Sequence, residues 1–144
     1  MKNLWFVIGC GVLASCQSLN LGRDFFERPP AKRVKAFRQY SLEEQYAIFR
    51  YGCTEVEPPV MELARPIAER GKEVIPFLIS KLKTTSDDRE VWGIVLICEH
   101  LKFEKKVELG SEIQLKTLLA QKVDRISDPE WRLVGLESLC RIYK

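Results

Sequence analysis

The chain is poor in the residues that usually carry chemistry. It holds a single histidine, His100, in 144 residues, so no histidine pair is available to grip a metal. None of its five cysteines stands in a Cys-x-x-Cys spacing, which removes the common zinc frameworks. There is no Gly-x-Ser-x-Gly nucleophile elbow and no glycine-rich loop to cradle a phosphate. No apolar run reaches the roughly 20 residues needed to cross a bilayer. Neither charge sign is in large excess: 23 basic residues face 20 acidic ones, a net +3, which is not the footprint of a nucleic-acid binder. Hydrophobic content of 46% can still supply a proper core. These gaps point away from catalysis, a metal, an organic cofactor or nucleic acid.

The N-terminus has the pattern of an export signal. Lys2 supplies a positive charge, and an apolar run from Leu4 to Leu13 follows, broken only by small residues. It is too short to span a membrane and fits the apolar region of a secretory leader ending in small residues. Leu13-Ala14-Ser15-Cys16 resembles the lipobox of bacterial lipoproteins: an aliphatic residue, two small residues, then cysteine. The resemblance implies that residues 1–15 are removed and that the thiol of Cys16 receives a diacylglyceryl group, usually with acylation of the new amine. Val7-Ile8-Gly9-Cys10 matches more loosely and would leave an apolar region of only about six residues, below the usual minimum. The competing readings are an ordinary secretory leader and a buried apolar helix. Two or more acyl chains, each methylene worth about 0.8 kcal/mol, give stable anchoring without a span. Gln17 follows the lipobox cysteine where an Asp would imply retention at the inner membrane. The resemblance therefore implies an outer-membrane location on the periplasmic side, with the inner membrane or a Gram-positive surface as alternatives.

Residues 16–144 suffice for one domain. Cys53, Cys98 and Cys140 remain beyond the lipobox. Three is odd, so at most one disulfide can form. Cys98 and Cys140 sit in apolar helical stretches, where a free thiol behaves as a small hydrophobe. Three reduced thiols are the simpler expectation, with a bridge from Cys53 to one of the others as the alternative.

Residues 16–40 read as a lipidated, partly basic tether. Gly22 and Pro29-Pro30 discourage regular structure. Lys32, Arg33, Lys35 and Arg38 can lie against anionic headgroups or serve as a solvated linker or helix face. Phe25, Phe26, Val34 and Phe37 suggest that part of the segment docks on the domain.

From residue 41 the pattern is all-α. Ser41-Leu42-Glu43-Glu44 is a capping box, followed by a helix to about Gly52 with Leu42, Tyr46 and Phe49 on one face. Pro58-Pro59 opens a second helix with Val60, Leu63, Ala64, Ile67 and Ala68 inward and Gly71 as its stop. A third covers residues 72–83, burying Val74, Ile75, Leu78, Ile79 and Leu82. Asp87 caps a fourth, whose residues 91–98 are continuously apolar; its length favours a buried helix over a strand. Gly110-Ser111-Glu112-Ile113-Gln114 offers another capping box ahead of Ile113, Leu115, Leu118, Leu119 and Val123. Asp128-Pro129 starts the last helix, with Leu133, Leu136, Cys140 and Tyr143 as its expected inward stripe.

Residues 72–101 overlay on residues 111–142 at a period of about 40, and Gly71-Lys72-Glu73-Val74-Ile75-Pro76-Phe77-Leu78 has the look of a repeat start. This layout resembles HEAT-like α-solenoids, whose helix pairs run to about 40–47 residues. It implies a short stack of about three antiparallel pairs over residues 41–144. A plain helical bundle would share much of the pattern.

Such stacks present extended binding surfaces without catalytic residues. The functional expectation is a non-catalytic protein-binding or scaffold lipoprotein of the cell envelope. Narrower versions are an immunity lipoprotein against a periplasm-delivered toxin and a pilot or assembly lipoprotein of a secretion complex; an envelope hydrolase is the remaining rival. Trp, Tyr and Arg are enriched at binding hot spots, which makes Trp131 with Arg132, and Tyr46 with Arg50 and Tyr51, the candidate partner-binding residues, while Trp92 reads as core. Glu55 and Glu57 are candidate paired carboxylates for a hydrolase, and His100 reads as a helix-end residue. The lipobox makes a direct prediction. Cells given a palmitate analogue should label the wild-type chain and not Cys16→Ala; label retained by Cys16→Ala would remove the assignment.

Overall fold

The computed structural model describes residues 20–144, and every regular element within them is helical. The leader and Cys16 lie outside the described residues. Helix α1 occupies residues 20–26, followed by α2 (Pro30–Phe37), α3 (Leu42–Thr54), α4 (Ala64–Ala68), a 3-10 turn (Gly71–Val74), α5 (Ile75–Thr84), α6 (Asp88–Phe103), α7 (Ile113–Asp124) and α8 (Pro129–Tyr143).

Local chemistry sets several helix starts. The Ser41 hydroxyl accepts from Glu44 N–H while the Glu44 carboxylate accepts from Ser41 N–H, a complete capping box that satisfies two otherwise orphaned donors. Asp87 accepts from Glu90 N–H at 2.9 Å. Asp128 accepts from the N–H groups of Glu130 and Trp131, with Pro129 at the first helical position, where its missing N–H costs nothing. Gly71 adopts φ +68°, a left-handed conformation that suits glycine just beyond a helix.

Other expectations needed the whole fold to decide them. Residues 58–63 do not begin a helix. They cross back over α3, where Val60 N–H donates to the Gly52 carbonyl at 2.9 Å, and α4 is only five residues long. Pro66 falls in its first turn, so it neither breaks a hydrogen bond nor kinks the helix. Before α7, Ser111 does not cap; Glu112 is the N-cap position and makes no side-chain capping bond. The helix thus begins one residue later than the capping-box pattern implied, and Ile113, expected inside, is 74% exposed at its first position.

Residues 20–40, read as part of a tether, are instead helical and packed on the domain. Phe25 on α1 and Phe37 on α2 are fully buried and meet edge to face at 5.8 Å. Arg33 donates to the carbonyls of Phe26 and Arg28, which holds α2 folded back on α1. Tyr51 of α3 stacks on Phe26 and sits where a side chain on Gly22 would be.

The rest packs in two rows. In one, α4 lies against α6 and α6 against α8; in the other, α5 lies against α7. Helix α6 also touches α3 and α7, and α7 touches α8, so α6 is central. Ile94, Val95, Ile97, Cys98 and Leu101 are fully buried along it. Gly93 lets α3 approach closely: a Cβ there would stand 2.9 Å from the Phe49 ring.

Helix α8 is rotated from the expected stripe. Its buried positions are Gly135, Ser138, Leu139 and Ile142, whereas Leu133 is 59% exposed, Leu136 40%, and Cys140 is exposed as well. A Cβ on Gly135 would lie 2.8 Å from Val123 Cγ1. The small residues thus let α8 close onto α7, and the larger aliphatics turn outward.

Candidate functional site

Two places bring functional side chains together: a buried polar knot around Glu90 and the outer face of α8. The knot begins at the turn between α5 and α6. Thr85 follows the last residue of α5, and its hydroxyl accepts from Asp87 N–H while donating to Glu90 Oε2 at 2.8 Å. From α3, one helical turn apart, Tyr46 donates to Glu90 Oε1 at 2.8 Å and Arg50 Nε lies 3.3 Å from Oε2. The Thr85 carbonyl in turn accepts from Lys122 of α7. Glu90 is thus buried with partners on both oxygens, as a buried carboxylate requires.

Burial, reinforced by the charge and hydrogen bond of Glu90, pushes the Tyr46 phenol well above its usual range. Burial, with Glu90 and Asp87 adding their charges, pushes the Cys53 thiol up to about 12. Neither group is poised as a base or nucleophile near neutral pH. The knot holds α3, α6, α7 and the α5–α6 turn together, and its carboxylate has no open face toward a substrate.

This placement revises the expected Tyr46–Arg50–Tyr51 surface. Tyr46 is 3% exposed and makes edge contacts with Phe49 and Phe77. Arg50 reaches solvent but is turned toward Glu90, and half-buried Tyr51 is occupied by Phe26. The α3 candidates therefore do not form a shared surface.

Trp131 and Arg132 are half-buried at the start of α8. Trp131 meets Trp92 edge to face at 6.1 Å. Trp92 is therefore at the rim and not in the core as its apolar neighbours suggested. Beyond this pair, Leu133, Val134 and Leu136 are all more than one third exposed. Arg141 is turned inward to Glu99 of α6 at 2.6 Å and to Ser138, so it does not cover them. The sequence signal for this face was the run Gly135, Ser138, Leu139 and Ile142, a second stripe that competes with the larger aliphatic one.

The remaining candidates are accounted for locally. Glu57 pairs with Arg89 at 2.8 Å and Glu55 accepts from Thr54. His100 Nδ1 lies 2.6 Å from Glu104 Oε1; that hydrogen bond is the main reason the Glu104 carboxyl is held below the usual range. His100 therefore engages a carboxylate, where terminal carbonyls or solvent were expected. Lys72, Ile75, Pro76, Ile79, Lys83, Glu112 and Gln114 line a shallow groove of about 420 Å³ between α5 and α7. Among the described residues, no group of three or more His, Cys, Asp or Glu side chains could hold a metal ion, and no helix is long and apolar enough to cross a membrane. Comparison with protein-family models, with curated proteins and with solved structures finds no match to this chain.

Cys53, Cys98 and Cys140 are all free thiols. Burial pushes Cys98, like Cys53, up to about 12, whereas Cys140 faces solvent on α8. Iodoacetamide at mildly alkaline pH should therefore modify Cys140 in the folded protein and reach Cys53 and Cys98 only after denaturation. Peptide mass analysis showing rapid modification of Cys53 in the folded state would contradict this placement.

Proposed function

We propose that this protein is a lipid-anchored periplasmic lipoprotein, held at the outer membrane through Cys16, that acts as a non-catalytic protein-binding module. The lipobox and the residue after it support the location. The two rows α4–α6–α8 and α5–α7, with α3 against α4 and α7 against α8, support a short HEAT-like stack.

One observation carries the binding role: the outward apolar ridge Leu133, Val134 and Leu136 on α8, beside Trp131 and Arg132. In a helical stack each helix normally buries its apolar face on the next pair, and a terminal helix needs a polar outer face for solubility. Here the last helix of the row α4–α6–α8 keeps three sizeable aliphatics in solvent. Contiguous exposed apolar surface of this kind marks interaction sites. Trp131, resting on Trp92, supplies a rigid aromatic at its edge of the sort enriched at hot spots. The immunity and pilot readings are narrower forms of the same role, separated by what the ridge captures.

A photo-crosslinking residue at Val134 in envelope preparations tests this. It should give a discrete protein adduct, and Leu133→Glu with Leu136→Glu should abolish it, because burying two unpaired carboxylates opposes docking. Lys83→Glu, away from the ridge, should leave the adduct intact. The thermal midpoint of the double variant should stay close to wild type, since both positions are exposed. No discrete adduct, or one indifferent to the ridge substitutions, would overturn the assignment.

A further inference from the structure

Helices α1 and α2 carry a charge pattern that the binding role does not use. Residues 20–40 hold six basic side chains against two acidic ones, Asp24 and Glu27. Two of the six are hydrogen-bonded within the fold: Arg38 makes a bidentate pair with Glu69, and Arg33 latches α2 to α1; Arg28 lies over the Tyr40 ring at 5.9 Å. Arg23, Arg28, Lys32 and Lys35 are exposed and take part in no ion pair among the described residues. Val34 lies between the last two and is also exposed. The opposite face of α2, through Phe37 and Ala36, packs inward. The helix is thus apolar toward the body and cationic toward the outside.

Position adds a second, independent constraint. Only three residues separate Cys16 from residue 20, the first described residue of α1. Four backbone steps span at most about 14 Å even when fully extended, and α1 itself adds about 10 Å. A lipid on Cys16 therefore tethers these cations within about 24 Å of the headgroup layer, a reach that lets them settle inside the Debye length of about 8–10 Å over which charge acts in ordinary salt. The Arg33 bonds to Phe26 and Arg28, with Phe25 and Phe37 buried beneath, make α1 and α2 a fixed ledge on the α3–α8 body.

We infer that the exposed side of α1–α2, which carries Arg23, Arg28, Lys32, Lys35 and Val34, docks on anionic lipid headgroups of the leaflet that holds the Cys16 anchor. This rests on the lipid-anchor reading. The docked ledge fixes the orientation of the body, and with it that of α8, which packs on α6 and α7.

The test uses the full chain purified from membranes and reconstituted into vesicles. A fluorophore is attached at Ala31→Cys on α2 in a Cys140→Ser background, and intact mass reports the lipid on Cys16. Headgroup-attached quenchers should reach the probe in phosphatidylglycerol–phosphatidylcholine vesicles and much less in phosphatidylcholine alone. Lys32→Gln with Lys35→Gln should lower the docked-to-free ratio about 25-fold, at about fivefold per cation removed, and high salt should do the same. A probe on native Cys140 should show no dependence on anionic lipid. Equal quenching in both vesicle types on a chain whose mass includes the lipid would overturn the docking and leave the anchor standing. A mass without lipid would overturn both.

Discussion

A single buried carboxylate organises the molecule. Glu90 sits in the first turn of α6 and gathers Tyr46 and Arg50 from α3 and Thr85 from the α5–α6 turn. Thr85 extends the linkage to α7 through Lys122. Removing a carboxylate from water costs several kcal/mol, which is tolerable only where its lone pairs are satisfied. Each hydrogen bond to such a charged group contributes about 1.5–3 kcal/mol. Exposed pairs such as Lys81–Glu43 and Lys72–Glu112, at 3.7 Å each, contribute about 0–1 kcal/mol. The surface pairs decorate the helices, while the Glu90 knot decides how α3 and α6 sit on each other.

The remaining architecture follows from that alignment. With α3 fixed on α6, Gly93 admits the Phe49 ring, and the apolar length of α6 is left to face α4, α7 and α8. Helix α8 then settles by its smallest residues, Gly135 and Ser138, with Leu139 and Ile142 completing the contact. Its larger aliphatics are left exposed among the described residues. The same stack thus explains a buried Tyr46 at one end and an exposed Leu133 at the other, although the sequence reading gave them opposite roles.

What could be read from the sequence was what depends on neighbours along the chain. The Ser41, Asp87 and Asp128 caps each satisfy backbone donors two or three residues away, so residue type and spacing alone reveal them. The all-helical class and the inward stripes of α3 and α5 follow from periodicity in the same way. The facing of α8 was not legible, because two apolar stripes coexist on it and contacts from α6 and α7 choose between them. Residues 20–40 were read as tether because their prolines and cations outweigh Phe25 and Phe37, whose partners lie elsewhere in the chain. The Glu90 knot was hidden for a related reason: Tyr46 and Glu90 are 44 residues apart, and nothing local marks an acidic residue near a helix start as buried.

Tyr46 and Glu90 act as one unit. A double-mutant cycle of Tyr46→Phe and Glu90→Gln, read by urea denaturation, measures that directly. The account predicts a coupling free energy of about 1–3 kcal/mol. Additive losses, with a coupling indistinguishable from zero, would show that the helices are aligned by apolar packing alone.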